Sequence, residues 1–253
     1  MRKRSWIILC LVIGLCLALG AFADTEGDFT YTVENGEATV TAYAGGGNVV
    51  IPDTLGGYPV TAIGYQAFRY GSLTGVAFPS TLTSIGEEAF SGCFYLASVE
   101  FPTGLTEIGP FAFEYCAMSS VELPDTVTTV GGYAFRGCAA LVDLRLSPAM
   151  TRIGNGTFRE CTALQSVVIP ASVTSIGTAA FQYCSSLSSI TIPSSLTAIE
   201  SSAFGSTAFT QFTCPATVTV VEDHTFSYCP NLESLTIWNP DCRLNGADLC
   251  GNL

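Results

Sequence analysis

Six cysteines share one slot. Cys93, Cys116, Cys138, Cys161, Cys184 and Cys229 each stand three residues after a phenylalanine. Three chemistries are open to such a series: a metal or redox array, disulfides between successive rungs of a repeat, or a ladder of buried thiols. Metal sites want the C-x-x-C spacing that the series lacks. Rungs about 4.8 Å apart lie within disulfide reach, yet side chains stacked in register point the same way. Gly71 and Thr207 fill the same slot in other repeats, so a small side chain suffices there. The pattern favours thiols buried as small hydrophobes. Cys242 and Cys250 stand apart, and a disulfide between them is an open alternative.

The single histidine, His224, lies beside Glu222 and Asp223, residue types that serve hydrolytic and metal sites. Its slot, two before Phe226, is taken elsewhere by Gln66, Glu88 and Ser202. These are ordinary surface residues, so the slot reads as a solvated turn. The serines include no Gly-x-Ser-x-Gly elbow. The carboxylates form no Asp-x-Asp calcium loop and no glycine-rich aspartate repeat. Leu123-Pro124-Asp125-Thr126 begins like a sortase signal, but Val127 replaces the glycine and no apolar tail follows. Asn155-Gly156-Thr157 is a glycosylation acceptor only in a eukaryotic secretory route. The expectation is no catalytic residue, no metal ligand set and no cofactor.

What positions these residues is a period. Phe68, Phe90, Phe113, Phe135, Phe158, Phe181, Phe204 and Phe226 follow one another at intervals of 22 or 23 residues. A period held over so much of a chain marks a solenoid, in which each coil buries its apolar edge against its neighbours. The strand of each coil is a triplet before proline, as in Val99-Glu100-Phe101-Pro102 and Val121-Glu122-Leu123-Pro124. Alternation turns the outer pair inward and the middle residue outward, and proline stops the strand because it lacks a donor. An Ile-Gly pair follows, as in Ile85-Gly86 and Ile108-Gly109, where glycine is expected to serve a backbone turn. The segment from Ile-Gly to cysteine is expected to form a short helical turn opposite the strand. The 22-residue intervals lose their residue in the loop before the strand, after Phe68, Phe113 and Phe204, where it should not shift the core ladder. Repeat four moves its proline one place, to Pro148, and repeat seven lacks the cysteine.

The ends differ. Arg2-Lys3-Arg4, the apolar run Trp6 to Gly20 and Ala21-Phe22-Ala23 read as a secretory signal cut after Ala23. Removing it leaves six basic residues against 21 acidic ones and no lysine, a balance repelled by nucleic acid and anionic lipid. No later segment is apolar enough to span a membrane. Glu34-Asn35-Gly36-Glu37 between alternating segments signals a β-hairpin. The expected division is a signal peptide over 1–23, a hairpin cap over 24–48, a solenoid over 49–238 and a degenerate or truncated repeat over 239–253.

Residues 49 to 238 resemble the BspA-like leucine-rich-repeat proteins. The pattern Leu-x-x-Val-x-Phe-Pro…Leu-x-x-Ile-Gly-x-x-Ala-Phe-x-x-Cys runs here from Leu96 to Cys116, and Gly57 to Gly64 looks like that family's N-terminal module. The resemblance implies a right-handed solenoid with a parallel β-sheet on one face. It also implies a secreted or cell-surface protein that binds host matrix proteins or other cells, with no catalytic residues to carry over. The expected fold is thus a leucine-rich-repeat solenoid of α/β type, with short helical turns opposite the sheet and a hairpin at the N-terminus.

The candidate site is a surface rather than a pocket of chemistry. The outward strand positions are Ser98 and Glu100, Ser120 and Glu122, Asp143 and Arg145, Ser166 and Val168, Ser189 and Thr191, Gln211 and Thr213. Gly75, Ala77, Ser234 and Thr236 extend the series at its ends. Its N-terminal half is acidic, and its C-terminal half is neutral and small. Solenoids offer such faces to protein partners. Tyr70, Tyr115, Tyr183 and Tyr228, each two after phenylalanine, form a second candidate surface. The reading is non-catalytic adhesion to a protein partner, in the host matrix or on another cell. The alternative is the repeat-carrying part of a larger extracellular enzyme or wall-associated protein with its functional module beyond Leu253. Mixed middle residues argue against ice or crystal binding, which wants one residue type on every rung.

Overall fold

The computed structural model describes residues 23–244. The expected leader, save its last residue, lies outside the described residues, as do Leu249 and Cys250. No helix of the described residues is long and apolar enough to cross a membrane.

The chain winds into stacked coils joined by parallel strands. Two faces carry them, where one was expected. The first face holds the triplet strands, from Gly47–Val50 and Leu73–Ala77 to Ser234–Ile237. The second holds two-residue strands at the Ile-Gly step, such as Ser84–Ile85 paired with Glu107–Ile108. Glycine at this step is explained by the coil spacing rather than by a turn. A Cβ on Gly109 would stand 2.7 Å from the Gly86 carbonyl carbon, and one on Gly131 would stand 2.6 Å from that of Gly109. A side chain at these two coils would meet the backbone of the coil before; later coils carry Glu200 and Glu222 at the step, and Ala198–Ile199 still pairs with Val220–Val221.

The expected helical turns are absent; the described residues contain no helix. Backbone conformation gives the reason. In every coil the residues two before and two after phenylalanine are left-handed, with φ from +54° to +71°. Right-handed helix cannot pass through such residues. The N–H groups alternate in use. Gln66, Phe68 and Tyr70 donate to Glu87, Ala89 and Ser91 of the next coil at 2.8–3.1 Å, while Ala67, Arg69 and Gly71 close turns onto Gly64, Gln66 and Phe68. A helix would spend its donors within the coil. This ribbon of turns sends half of them to its neighbour, so the third side is also bonded coil to coil.

The phenylalanines stack inside as a ladder. Successive rings from Phe68 to Phe226 lie 4.8–5.8 Å apart, with interplanar angles of 3–18°. These separations are close to the strand spacing of a sheet. The six from Phe90 to Phe204, and Phe226, have no exposure at all. Tyr43 continues the stack beyond Phe68 at 5.3 Å, and Phe29 beyond Tyr43 at 4.8 Å. Both belong to the antiparallel pair Phe29–Glu34 and Glu37–Tyr43. The strand Glu37–Tyr43 then pairs in parallel with Tyr58–Ile63.

The triplet face is not one sheet. Its strands pair in short groups, and no strand pairing crosses from Ser98–Glu100 to Ser120–Glu122, from Asp143–Arg145 to Ser166–Val168, or from Ser189–Thr191 to Gln211–Cys214. Two of these seams precede the coils whose approach loop is one residue short, after Phe113 and Phe204. The remaining one, second in chain order, follows the coil with the displaced Pro148. After Phe113 and Phe204 the shortened loop leaves the phenylalanine ladder intact, as expected, while the strand face opens; after Phe68 the strand Leu73–Ala77 still pairs with Gly47–Val50.

Candidate binding face

All twelve outward residues named from the sequence between Ser98 and Thr213 are exposed. Gly75 is a correction: it is buried, and a Cβ there would run into the Asn48 side chain. The twelve do not make one uniform surface, because the seams divide them.

At the first seam, Val99 and Phe101 are only partly buried, whereas Val121 and Leu123 on the far side are fully covered. A concavity of about 640 Å³ opens over them, rimmed by Glu100, Glu122, Asp125 and Arg145. Arg145 organises the rim. Its guanidinium donates to Asp125 at 2.6 Å and to the Leu123 carbonyl at 3.0 Å, and stands 3.7 Å from Glu122. One cation against three carboxylates leaves the rim negative. At the third seam a second concavity, of about 710 Å³, is lined by uncharged residues alone. Asp125, Phe101 and the partly open Ile190 and Ile192 were not in the sequence-derived set. The 22-residue interval did not mark them, since it also follows Phe68, where Leu73–Ala77 stays paired.

The cysteines form the buried ladder. Each Sγ donates to the carbonyl oxygen of the phenylalanine one coil back: Cys93 to Phe68 at 3.1 Å, Cys138 to Phe113 at 3.3 Å, Cys184 to Phe158 at 3.1 Å. Cys116, Cys161 and Cys229 repeat the contact at 3.2–3.3 Å. Thr207 reaches its own coil's Phe204 carbonyl at 2.8 Å and meets the Cys229 sulfur at 3.3 Å. Cysteine or threonine in the slot thus donates one hydrogen bond from a small side chain, while Gly71 fills it without one. Burial pushes the Cys138 and Cys184 thiols up to about 12, and the Cys93 thiol up to about 11. Neutral thiols are poor nucleophiles and poor metal ligands. Among the described residues, no group of three or more His, Cys, Asp or Glu side chains could hold a metal.

His224 sits in the left-handed slot with φ +57°, its Nδ1 3.2 Å from Asp223 and both side chains about half exposed. Such a surface pair is worth little. A β-carbon in that conformation costs about 1–2 kcal/mol, and glycine costs part of this back in the unfolded state. His224→Gly should therefore raise stability by about 0.5–1 kcal/mol, read as a higher melting temperature. An unchanged or lower melting temperature would assign the histidine a packing role.

The tyrosine series is partly structural. The Tyr70 ring lies against Gly92 and that of Tyr115 against Gly137. Guanidinium groups cover three of the rings: Arg69 over Tyr70 at 4.8 Å, Arg136 over Tyr115 at 5.4 Å, Arg159 over Tyr183 at 5.3 Å. Tyr115 and Tyr183 are only moderately exposed, while Tyr70 and Tyr228 stand open on the turn ribbon.

A family model described as the BspA type leucine-rich repeat region, six copies, matches residues 61–184 and 151–245. The chain belongs to the BspA-type leucine-rich repeat family. Three solved bacterial structures resemble this BspA-type chain. A leucine-rich repeat protein from Bacteroides ovatus shares 29% identity with a TM-score of 0.73, over 88% of this chain and 67% of its own. The leucine-rich repeat protein of T. pallidum shares 32% with a TM-score of 0.67, over 71% of this chain and 86% of its own. A leucine-rich cell surface protein from Faecalibacterium prausnitzii shares 33% with a TM-score of 0.62, over 87% of this chain and 56% of its own. No protein of curated function matches the chain in sequence. The BspA-type repeat accounts for the phenylalanines, the cysteines and the Ile-Gly steps as core and spacing. It leaves the outward residues of this BspA-type chain, and its seams, without an assigned role.

Proposed function

We propose that the chain is an exported, non-catalytic adhesion protein that holds a protein partner, in the host matrix or on another cell, against its triplet face. One observation carries the reading. The first seam brings a negative rim and an apolar floor, Val99 and Phe101, into one concavity. Protein interfaces combine those elements, with an apolar centre and a polar margin that steers approach. The cell-surface relative supports an extracellular setting, as does the signal-like N-terminus. The antiparallel pair at residues 29–43 serves as the cap, since its rings Phe29 and Tyr43 cover the open end of the phenylalanine ladder.

The partner surface is expected to be basic. Solid-phase binding to fibronectin, fibrinogen and laminin tests this. The triple reversal Glu100→Lys, Glu122→Lys and Arg145→Glu should weaken capture by about tenfold or more without moving the melting temperature. Raising salt from about 0.05 to about 0.5 M should weaken the unaltered chain as well. Capture untouched by both changes would remove the first seam from the binding surface.

A further inference from the structure

We propose that the third seam is a binding site for a neutral oligosaccharide, separate from the protein-binding seam. Between Ser189–Thr191 and Gln211–Cys214 the strand pairing fails, and one backbone bond, Ala208 N–H to the Leu187 carbonyl at 2.9 Å, joins the coils ahead of the gap. One coil earlier, Val167 and Ile169 are buried. Here their counterparts Ile190 and Ile192 are only partly covered and form the floor of the 710 Å³ concavity. That volume lies within the usual range for small-molecule sites, about 300–1,000 Å³.

The lining fits one ligand chemistry. Among the described residues none around this concavity is charged, although acidic residues outnumber basic ones 21 to 9 in the chain. The polar groups are an amide, on Gln211, and hydroxyls, including those of Ser189, Ser194 and Thr213. Such groups both donate and accept hydrogen bonds, and so match sugar hydroxyls. Trp238, from the next coil, closes one side and is 67% exposed. Its flat, amphipathic ring gives a platform for the C–H face of a pyranose, and its indole N–H is a donor that suits a sugar hydroxyl. An apolar peptide would not use the ring of hydroxyls, and an acidic or basic ligand would find no counter-charge. The group is also not periodic. No other coil sets a tryptophan after its strand, since the chain has only Trp6 and Trp238.

That scarcity provides the assay. In full-length chain carrying Trp6→Phe, tryptophan emission reports Trp238 alone. Cellohexaose, mannohexaose and chitohexaose are titrated in turn, with hexagalacturonate as the acidic counterpart and a leucine- and phenylalanine-rich heptapeptide as the apolar one. The expected result is a saturable emission change with at least one neutral hexasaccharide and none with hexagalacturonate. By calorimetry, Trp238→Ala and Gln211→Ala should each weaken that binding by about tenfold or more, with melting temperatures unchanged because both side chains are exposed. The triple reversal at Glu100, Glu122 and Arg145 should leave sugar binding intact, which separates this site from the protein-binding seam. No response to any neutral hexasaccharide overturns the assignment. So does equal binding of hexagalacturonate, a response to the heptapeptide alone, or undiminished affinity in Trp238→Ala.

Discussion

Phe135→Ala is expected to lower the stability of the chain by about 3–5 kcal/mol, the usual cost of deleting a buried phenylalanine ring. For a chain of this size that is a fall of about 6–20 °C in melting temperature. Phe135 has no exposure and stacks on Phe113 at 5.5 Å and on Phe158 at 5.6 Å. Its loss therefore damages two coil interfaces at once, and in a nearly one-dimensional fold interface terms carry much of the cooperativity. Phe226 stacks on a single ladder ring, Phe204, at 5.8 Å. Phe226→Ala should fall by clearly less. Circular dichroism melts of the two variants beside the parent check both the size and the order. Equal losses, or none at Phe135, would contradict a continuous spine.

The chain is also expected to unfold sharply in mild alkali. Burial pushes the thiols of Cys138 and Cys184 up to about 12, and holds those of Cys116 and Cys161 well above the ordinary thiol range. In the unfolded chain the same groups titrate near about 8.5. Above that pH the unfolded state sheds protons that the folded state keeps, so stability falls as pH rises. Below about 8.5 the stabilisation is complete; between about 9 and 12 it is progressively lost. Each thiol contributes a slope of about 1.4 kcal/mol per pH unit, and these four with Cys93 and Cys214, pushed up to about 11 and about 12, together about 8. Against a typical total of about 5–15 kcal/mol, the transition should be finished within about two pH units of 8.5. Melting temperatures from pH 7 to 11 test the slope, and Cys138→Ala should reduce it by about one sixth. A thiol reagent at pH 8 should react with these four sulfurs only after denaturant is added. A flat profile up to pH 11 would mean that the thiols are not sealed in the core.

Much of the spine is legible from residue types alone. Phenylalanine at a fixed interval and apolar-x-apolar before proline each have one physical reading. They specify the ladder and the inward faces of the strands. The turn ribbon is less legible, because a short helix and a chain of turns leave the same residues outside. Its left-handed slots are filled by Glu88, Phe111, Tyr133 and Ala179, with glycine only at Gly92, Gly137 and Gly156, so the usual glycine signal is missing. The cysteine slot could be read as buried and small, but not as a hydrogen-bond donor to the coil before. The outward residues were legible by alternation. Their division was not, since a missing loop residue ahead of Val121 or Phe212 gives no hint in itself whether the spine or the face will yield. Trp238 carries no repeat signal at all and stands out only where the coil before it opens.

The seams give this architecture an economical way to vary. A single codon dropped ahead of Val121 or Phe212 accompanies a cleft on the outside and leaves the aromatic column in register, whereas the same loss after Phe68 leaves Leu73–Ala77 paired. Related chains could then gain, lose or relocate such clefts by small insertions and deletions, while the interior keeps the same sequence rule. Diversity in what is grasped would be written in loop lengths more than in side-chain exchange.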